Sequence, residues 1–403
     1  MKKIALVVPS LVKGGGVPAV ARFVKDVALR SSSYQVKLVS LCMDSNEPSS
    51  RLLKRTSTWL RGPVATTAEW DGLPFTHVGA NWGEMEFQRY QPRRVLADLL
   101  VDCDLIQVVC GSPAWANAVV GLGKPVALQV ATRAKVERRQ RDANPKRLSD
   151  WWRRLMTEMT DRLDDRALRR VDAIQVENPW MLDYARNLNA GRQVDIRYAP
   201  PGINAELFRP LLHRNISNSL YILCVGRLDD PRKNVGLLLS AYALLSKDVR
   251  DRFQLLLAGS SPPPPAFWQQ ADALNLRDRV SYIFRPSQEE LVRLYQEASV
   301  FVSSSDEEGL GVAILEAMAC AVPVVSTRSG GPDGIISDGE DGYLVPLDDA
   351  EEMAARLQLL LENQTLNIAM GCNARATIED RYDERVAGEV FLDMWDRLMR
   401  LKK

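Results

Sequence analysis

Short apolar runs alternate with longer stretches of helical spacing along most of the chain. Runs at 4–8, 36–41, 105–109, 126–130, 173–176, 221–225, 254–258, 280–284, 300–303 and 323–326 are nearly continuous in apolar residues. Such runs read as strands buried on both faces, because a strand covered on one side alternates apolar and polar positions. Segments long enough for helices separate many of them. The alternation predicts parallel sheets wrapped by helices, an α/β chain of the doubly wound class. No internal repeat of about 20 to 50 residues is visible.

The chain has 403 residues, too many for one compact core and suited to two domains of about 200 residues each. The boundary is expected at Pro200-Pro201-Gly202-Ile203-Asn204, a stiff, turn-rich segment after which the strand pattern restarts. The expected domains are 1–203, joined by a returning helix over 382–403, and 204–381. No run approaches the roughly 18 to 20 apolar residues of a membrane span. The lysines and short apolar run at the start resemble a signal peptide, but LVKGGGVP follows instead of a small-residue cleavage site. A cytoplasmic protein is therefore expected. The six cysteines form no CxxC pair and read as free, mostly buried thiols. Two histidines argue against a histidine-based metal site.

The formal net charge of +1 conceals an asymmetry: residues 1–210 carry +10 and the remainder −9. The basic half is expected to face something acidic, such as a membrane surface or a phosphorylated lipid.

The most informative stretch is 303–326: strand, acidic glycine loop, amphipathic helix, strand. Gly309 and Gly311 let backbone approach a ligand, and the helix that follows opens with unpaired N–H groups suited to phosphate. A carboxylate beside a phosphate site is costly unless it bonds hydroxyls, so Glu308 is expected to face a sugar and Glu316 a ribose. A second stretch, 225–239, opens the second domain's first strand-to-helix turn, where such folds place phosphates. There Arg227 and Lys233 are placed to neutralise a leaving diphosphate.

Together these segments resemble the GT-B glycosyltransferases of family 4, a large retaining family. The resemblance rests on Gly226-Arg227-Leu228 with Lys233, and on Glu308 and Glu316 in a Glu-Gly-Leu-Gly … Glu-Ala-Met-Ala … Pro-Val-Val context. It extends to the segment 200–210, to the turn and hairpin at 329–342, and to Gly14-Gly15-Gly16 after the first strand. It implies two Rossmann-like domains facing a central cleft. It further implies that Arg227 and Lys233 bind the donor diphosphate, Glu308 meets the sugar near the reacting carbon, and Glu316 holds the ribose. Backbone of Gly309, Leu310 and Gly311 would touch the sugar, and Gly15 and Gly16 would close over the phosphates; Arg285 and Val312 complete the expected donor set. The final helix, around 386–401, would cross back onto the first domain. A nucleotide-diphosphate sugar would be co-substrate, without cofactor or essential metal. The implied activity is a retaining hexosyltransferase of surface polysaccharide assembly, with a saccharide or polyprenyl-diphosphate-linked saccharide as acceptor.

The sequence departs from the family pattern in one important place. A histidine usual at the end of an early strand is missing; Ala131 or Thr132 occupies that position. His77 and His213 lie elsewhere and read as surface or loop residues. The departure opens an alternative reading, a non-catalytic or weakly active partner protein that binds a sugar nucleotide. Asn234 and Ala321 stand where glycine is common. Asp102-Cys103-Asp104 formally matches the metal-binding DxD of another glycosyltransferase fold but reads as a strand-entry turn.

Residues 131–154 hold nine basic residues against three acidic ones, followed by Leu148, Trp151, Trp152, Leu155, Met156, Met159 and Leu163 at helical spacing. The stripe reads as core packing, and the basic loop as peripheral contact with an anionic membrane or acceptor. Residues 43–61 and 70–90 read as irregular acceptor loops. No nucleic-acid-binding module is recognisable.

Overall fold

The computed structural model describes residues 1–11, 16–211 and 221–400. The chain divides into two compact units, Met1–Pro201 with Ala387–Lys403, and Gly202–Val386. These divisions fall a few residues from 203/204 and 381/382 for a local reason. Ile203 forms an isolated bridge with Asp383, donating its N–H to Tyr382 O and accepting from the N–H of Glu384, so both crossing segments start inside the second unit.

The first unit is built on eight strands: β1 Lys2–Pro9, β2 Tyr34–Leu41, β3 Ala65–Trp70, β4 Leu73–Val78, β5 Leu105–Cys110, β6 Val126–Val130, β7 Ala173–Val176 and β8 Asp195–Tyr198. They lie in the order β3-β4-β2-β1-β5-β6-β7-β8. All pairs are parallel except β3 with β4. Successive residues of β1 enter opposite cores: Ile4, Leu6 and Val8 join one, Ala5 and Val7 the other. This two-sided burial is why the strand reads as a continuous apolar run. The helix Glu384–Arg400 packs Phe391, Met394 and Trp395 into the first of these cores, and Trp395 donates its indole N–H to Gln107 Oε1 at 2.7 Å.

Three expectations need correction in this unit. Residues 70–90 are not all irregular, because β3 and β4 form a hairpin at one edge of the sheet. Its turn is Asp71-Gly72, both with positive φ (54° and 74°), as a two-residue hairpin of this chemistry requires. His77 is half-buried in β4 beside Ser40 Oγ, not in a loop, and burial lowers its pKa; His213 lies outside the described residues. The apolar stripe is not core throughout. In the helix Leu148–Leu168 the buried residues are Met156, Thr157, Thr160, Asp164, Ala167 and Leu168, while Leu148, Trp151, Trp152 and Leu155 are exposed.

The second unit holds an all-parallel sheet of six strands: β9 Tyr221–Arg227, β10 Gln254–Ser261, β11 Val280–Phe284, β12 Val300–Ser303, β13 Val324–Thr327 and β14 Tyr343–Val345. Their order is β11-β10-β9-β12-β13-β14. One core, containing Leu238, Tyr242 and Leu357, covers one face; another, containing Phe301, Leu315 and Met318, covers the other. The strand order reverses between β9 and β12. In doubly wound sheets the crevice outside the carboxyl ends of the strands at such a reversal is where ligands sit.

All six cysteines are free, five buried and Cys372 exposed. Among the described residues no helix is long and apolar enough to cross a membrane.

Candidate active site

The chain leaves β9 at Arg227 and turns through Pro231–Lys233 into the helix Val235–Leu244. It leaves β12 at Ser303 and passes through an acidic loop into the helix Val312–Ala319. Both turns therefore stand at the reversal of strand order, and side chains and backbone lock them together. Asp306 N–H donates to Arg232 O at 2.7 Å, Ser304 Oγ donates to Lys233 O at 2.9 Å, and Asn234 Nδ2 donates to Asp306 Oδ1 at 2.8 Å. Arg232 bridges them further, with Asp230 on one side and Glu307 Oε2 at 2.7 Å on the other.

Within this frame Lys233 Nζ forms an ion pair with Glu308 Oε1, which also accepts a hydrogen bond from Ser305 Oγ at 2.7 Å. Burial alone pushes the Glu308 carboxyl up, but the Lys233 ammonium and the Ser305 hydroxyl outweigh it and hold it below its ordinary value. Arg227 is half exposed, with one ion pair to Asp230 Oδ2 at 3.1 Å. Asp230 is itself held at about 2, because Arg232 and Arg227 overcome its burial.

The two helices that start here differ at their first residues. The helix Val235–Leu244 is capped by Asn234, whose side chain accepts from Leu237 N–H. The helix Val312–Ala319 follows Gly311 and has no side-chain cap. Its first N–H groups and positive dipole end are suited to an anion. Gly311 has φ +96°, a left-handed conformation that a side chain strongly disfavours. The loop is held from behind by the next turn: Glu308 N–H donates to Ser329 O, Gly331 N–H donates to Glu308 O, and a Cβ on Gly331 would stand 2.3 Å from Leu310 O.

Glu316 lies one turn into the same helix. Tyr295 donates its hydroxyl to Glu316 Oε2 at 2.6 Å. Burial pushes the Glu316 carboxyl up to about 7, and the tyrosine offsets part of that rise. A carboxyl so placed accepts a ligand hydroxyl on its second oxygen at little further desolvation cost.

The structure thus gathers Arg227, Lys233, Glu308, Gly309, Leu310, Gly311, Val312 and Glu316 on two adjacent turns and one helix. Leu310 turns its side chain into the core. Arg285 stands on a third turn of the same sheet. It follows β11, two strands from β9, with its guanidinium over the Phe284 ring at 4.9 Å. Gly16 opens the helix Gly16–Arg30 in the first unit and is exposed; Gly15 lies outside the described residues. Asn234 and Ala321 both have left-handed backbone (φ 41° and 57°), which explains why glycine suits these positions.

Three functional partners escaped the sequence reading: Arg232, Ser305 and Tyr295. Arg232 had a signal, a third cation in the same short turn. Tyr295 comes from another helix, Gln288–Glu297, and nothing local marks it.

At the carboxyl ends of β6 and β7, the position of the missing histidine is filled otherwise. Asn178 Nδ2 donates to Ala131 O at 2.6 Å, and Thr132 is buried. Asp102 is paired with Lys3 and Lys37, and Asp104 accepts from the Lys3 N–H, the pattern of a strand-entry turn. Among the described residues no group of three or more histidine, cysteine or acidic side chains is arranged to hold a metal ion.

Residues 213–377 match the sequence family described as Glycosyl transferases group 1. The chain is 29% identical, over 55% of its length, to a GDP-mannose-dependent alpha-(1-6)-phosphatidylinositol monomannoside mannosyltransferase of Mycolicibacterium smegmatis, of which it covers 62%. The chain spans about half the length of the curated relatives it matches. Two solved structures are similar over nearly the whole chain. Sucrose-phosphate synthase of Thermosynechococcus elongatus has a TM-score of 0.69 at 21% identity, with both chains covered completely. Anabaena Alr3699/HepE in complex with UDP-glucose has a TM-score of 0.70 at 15% identity, covering 98% of this chain and 100% of that one. The likeness establishes the fold, the GT-B type with two doubly wound parallel-sheet units.

Proposed function

We propose that this protein, whose residues 213–377 match the glycosyl transferases group 1 family, is a retaining glycosyltransferase acting in glycan or surface polysaccharide assembly. Its donor is a nucleotide-diphosphate hexose, and its acceptor a saccharide or a polyprenyl-diphosphate-linked saccharide. The observation that carries the reading is the meeting of Arg227, Lys233 and the uncapped helix start after Gly311 with the carboxylates Glu308 and Glu316.

Each group has a chemical task on this reading. Arg227, Lys233 and the N–H groups at 312 and 313 take up the charge that grows on the diphosphate as the sugar C1–O bond breaks. That counter-charge serves in place of a divalent ion. Glu308 faces the sugar and Glu316 the ribose hydroxyls. The acceptor hydroxyl attacks C1 from the side the diphosphate leaves, and its proton passes to a leaving phosphate oxygen. The products are the glycosylated acceptor and the nucleoside diphosphate. UDP-sugar donors fit the reading, because a similar structure holds UDP-glucose.

A second reading, a sugar-nucleotide-binding protein without transfer, is favoured by one observation: Ala131 or Thr132 stands in place of the usual histidine. One experiment separates the two. The full chain is incubated with UDP-, GDP- and ADP-sugars, with and without lipid-linked acceptors, and the products are read by mass spectrometry. Transfer, or donor hydrolysis with release of nucleoside diphosphate, is expected. Tight donor binding without either product supports the second reading and overturns the first.

A further inference from the structure

The first two turns of the helix Leu148–Leu168 expose four large apolar side chains: Leu148 (89% exposed), Trp151 and Trp152 (57% each) and Leu155 (51%). Their spacing is i, i+3, i+4, i+7, so they share one face of the helix. At 100° per residue this face lies roughly 125° around the axis from the buried side formed by Met156, Thr160, Asp164 and Ala167. The stripe is therefore not the edge of the core. It is a separate apolar ridge, and two tryptophans are a large area to leave in water.

The charges around the ridge are sorted. Four of the nine basic side chains in 131–154 are used inside the fold: Arg133 with Asp161 and Asp165, Lys135 with Glu158, Arg138 with Glu86, and Arg153 with Asp142 and Asp150. The acids Asp142 and Asp150 are thereby neutralised. Arg139, Arg141, Lys146 and Arg147 are exposed and form no ion pair among the described residues, and Arg154 stacks on Trp151 at 5.8 Å. The same mixture recurs in this unit where Leu53, Trp59 and Leu60 stand exposed beside Lys54 and Arg55.

We propose that the ridge is a docking face for an anionic lipid bilayer, with Trp151 and Trp152 seated at headgroup level and the surplus cations over the lipid phosphates. A protein partner would have to match five uncompensated positive charges around two indoles. A bilayer carrying anionic headgroups presents that combination as its ordinary surface: rings enter the interface while cations stay at the phosphates. The proposal stands whether or not the chain transfers sugar.

The test uses the full chain with phosphatidylcholine vesicles, with and without phosphatidylglycerol, read by co-sedimentation and tryptophan emission. Binding is expected only with phosphatidylglycerol, with a blue shift on binding and release by salt. The double variant Trp151→Ser/Trp152→Ser is expected to bind at least about tenfold more weakly, since both interfacial anchors are lost. Arg139→Glu/Arg147→Glu is expected to bind more weakly while melting as the parent does. Donor hydrolysis in the absence of lipid is expected to be the same in all three proteins, which keeps this test separate from that of the donor site. Absence of binding to anionic vesicles, or equal binding by the tryptophan variant, overturns the proposal. So does a dimer that the tryptophan variant dissociates while neither protein binds vesicles, because the face would then join two copies of the chain.

Discussion

At the carboxyl edge of the second sheet, two cations, an uncapped helix and two acidic side chains gather on turns that follow β9 and β12. At the same edge of the first sheet, the turns after β5 and β6 are closed by a single carboxyl. Asp164, wholly buried, accepts from Ser112 Oγ at 2.5 Å and from the N–H groups of Ala114 and Ala134, each at 2.8 Å. Burial pushes it up to about 7, against those three hydrogen bonds. On the proposed reading the second edge offers its paired side chains to a ligand; the first uses its carboxyl as masonry. The difference teaches that, on the proposed reading, one strand-turn-helix plan yields a binding edge where polar side chains pair with one another and a ligand can displace them, and a closed edge where they are spent on backbone N–H groups.

That contrast can be broken most directly by removing Lys233. On the proposed reading Lys233→Ala lowers kcat/KM about 10²-fold or more, roughly 3 kcal/mol of lost transition-state stabilisation, and it lowers the melting temperature as well, because the buried Glu308 carboxylate loses its partner. Unchanged kinetics would remove the cation from the donor site. The matching experiment on the first edge is Asp164→Ala, which strands three donors in the interior. It is expected to cost about 3 kcal/mol of stability, read from the denaturant midpoint, and to leave nucleotide affinity of the folded protein intact. A variant that folds normally but no longer binds nucleotide would erase the distinction between the two edges.

A smaller effect sharpens the comparison within the second unit. The Glu316 carboxyl is raised to about 7 in the folded chain by burial. A carboxyl raised above its unfolded value holds its proton more tightly when folded, so stability falls as pH climbs from about 4.5 toward 7 and then levels. Glu316→Gln removes that loss, so the variant should gain on the parent across this window by up to about 3 kcal/mol. Melting curves at pH 4.5, 6 and 8 measure it; a difference constant with pH would show that Glu316 titrates as an ordinary surface acid.

Ten of the fourteen strands found among the described residues were legible in the sequence, because parallel strands covered on both faces are apolar at nearly every position. The four that were not have other chemistry. β3 is exposed at five of its six residues, β8 is half-buried throughout, and β14 has only three residues. β4 was hidden by its hairpin partner, although Asp71-Gly72 was a turn signal open to reading. The donor loops were legible because glycines, cations and acids fall close together in the chain. Tyr295 was not, since its hydrogen bond to Glu316 comes from another helix and leaves no spacing to read; Ser305, three residues before Glu308 in the same loop, was open to reading. The apolar ridge at 148–155 was seen as a pattern and assigned to the wrong solvent: helical periodicity shows that a face is apolar, not what covers it.

Before any phosphate arrives, Lys233 already has a counter-ion of its own in Glu308. On the proposed reading, donor and nucleoside diphosphate alike compete with that carboxylate for the ammonium. The fold therefore carries a tethered rival to its own product, one that reclaims the lysine as the nucleotide departs and keeps the spent diphosphate from clogging the site.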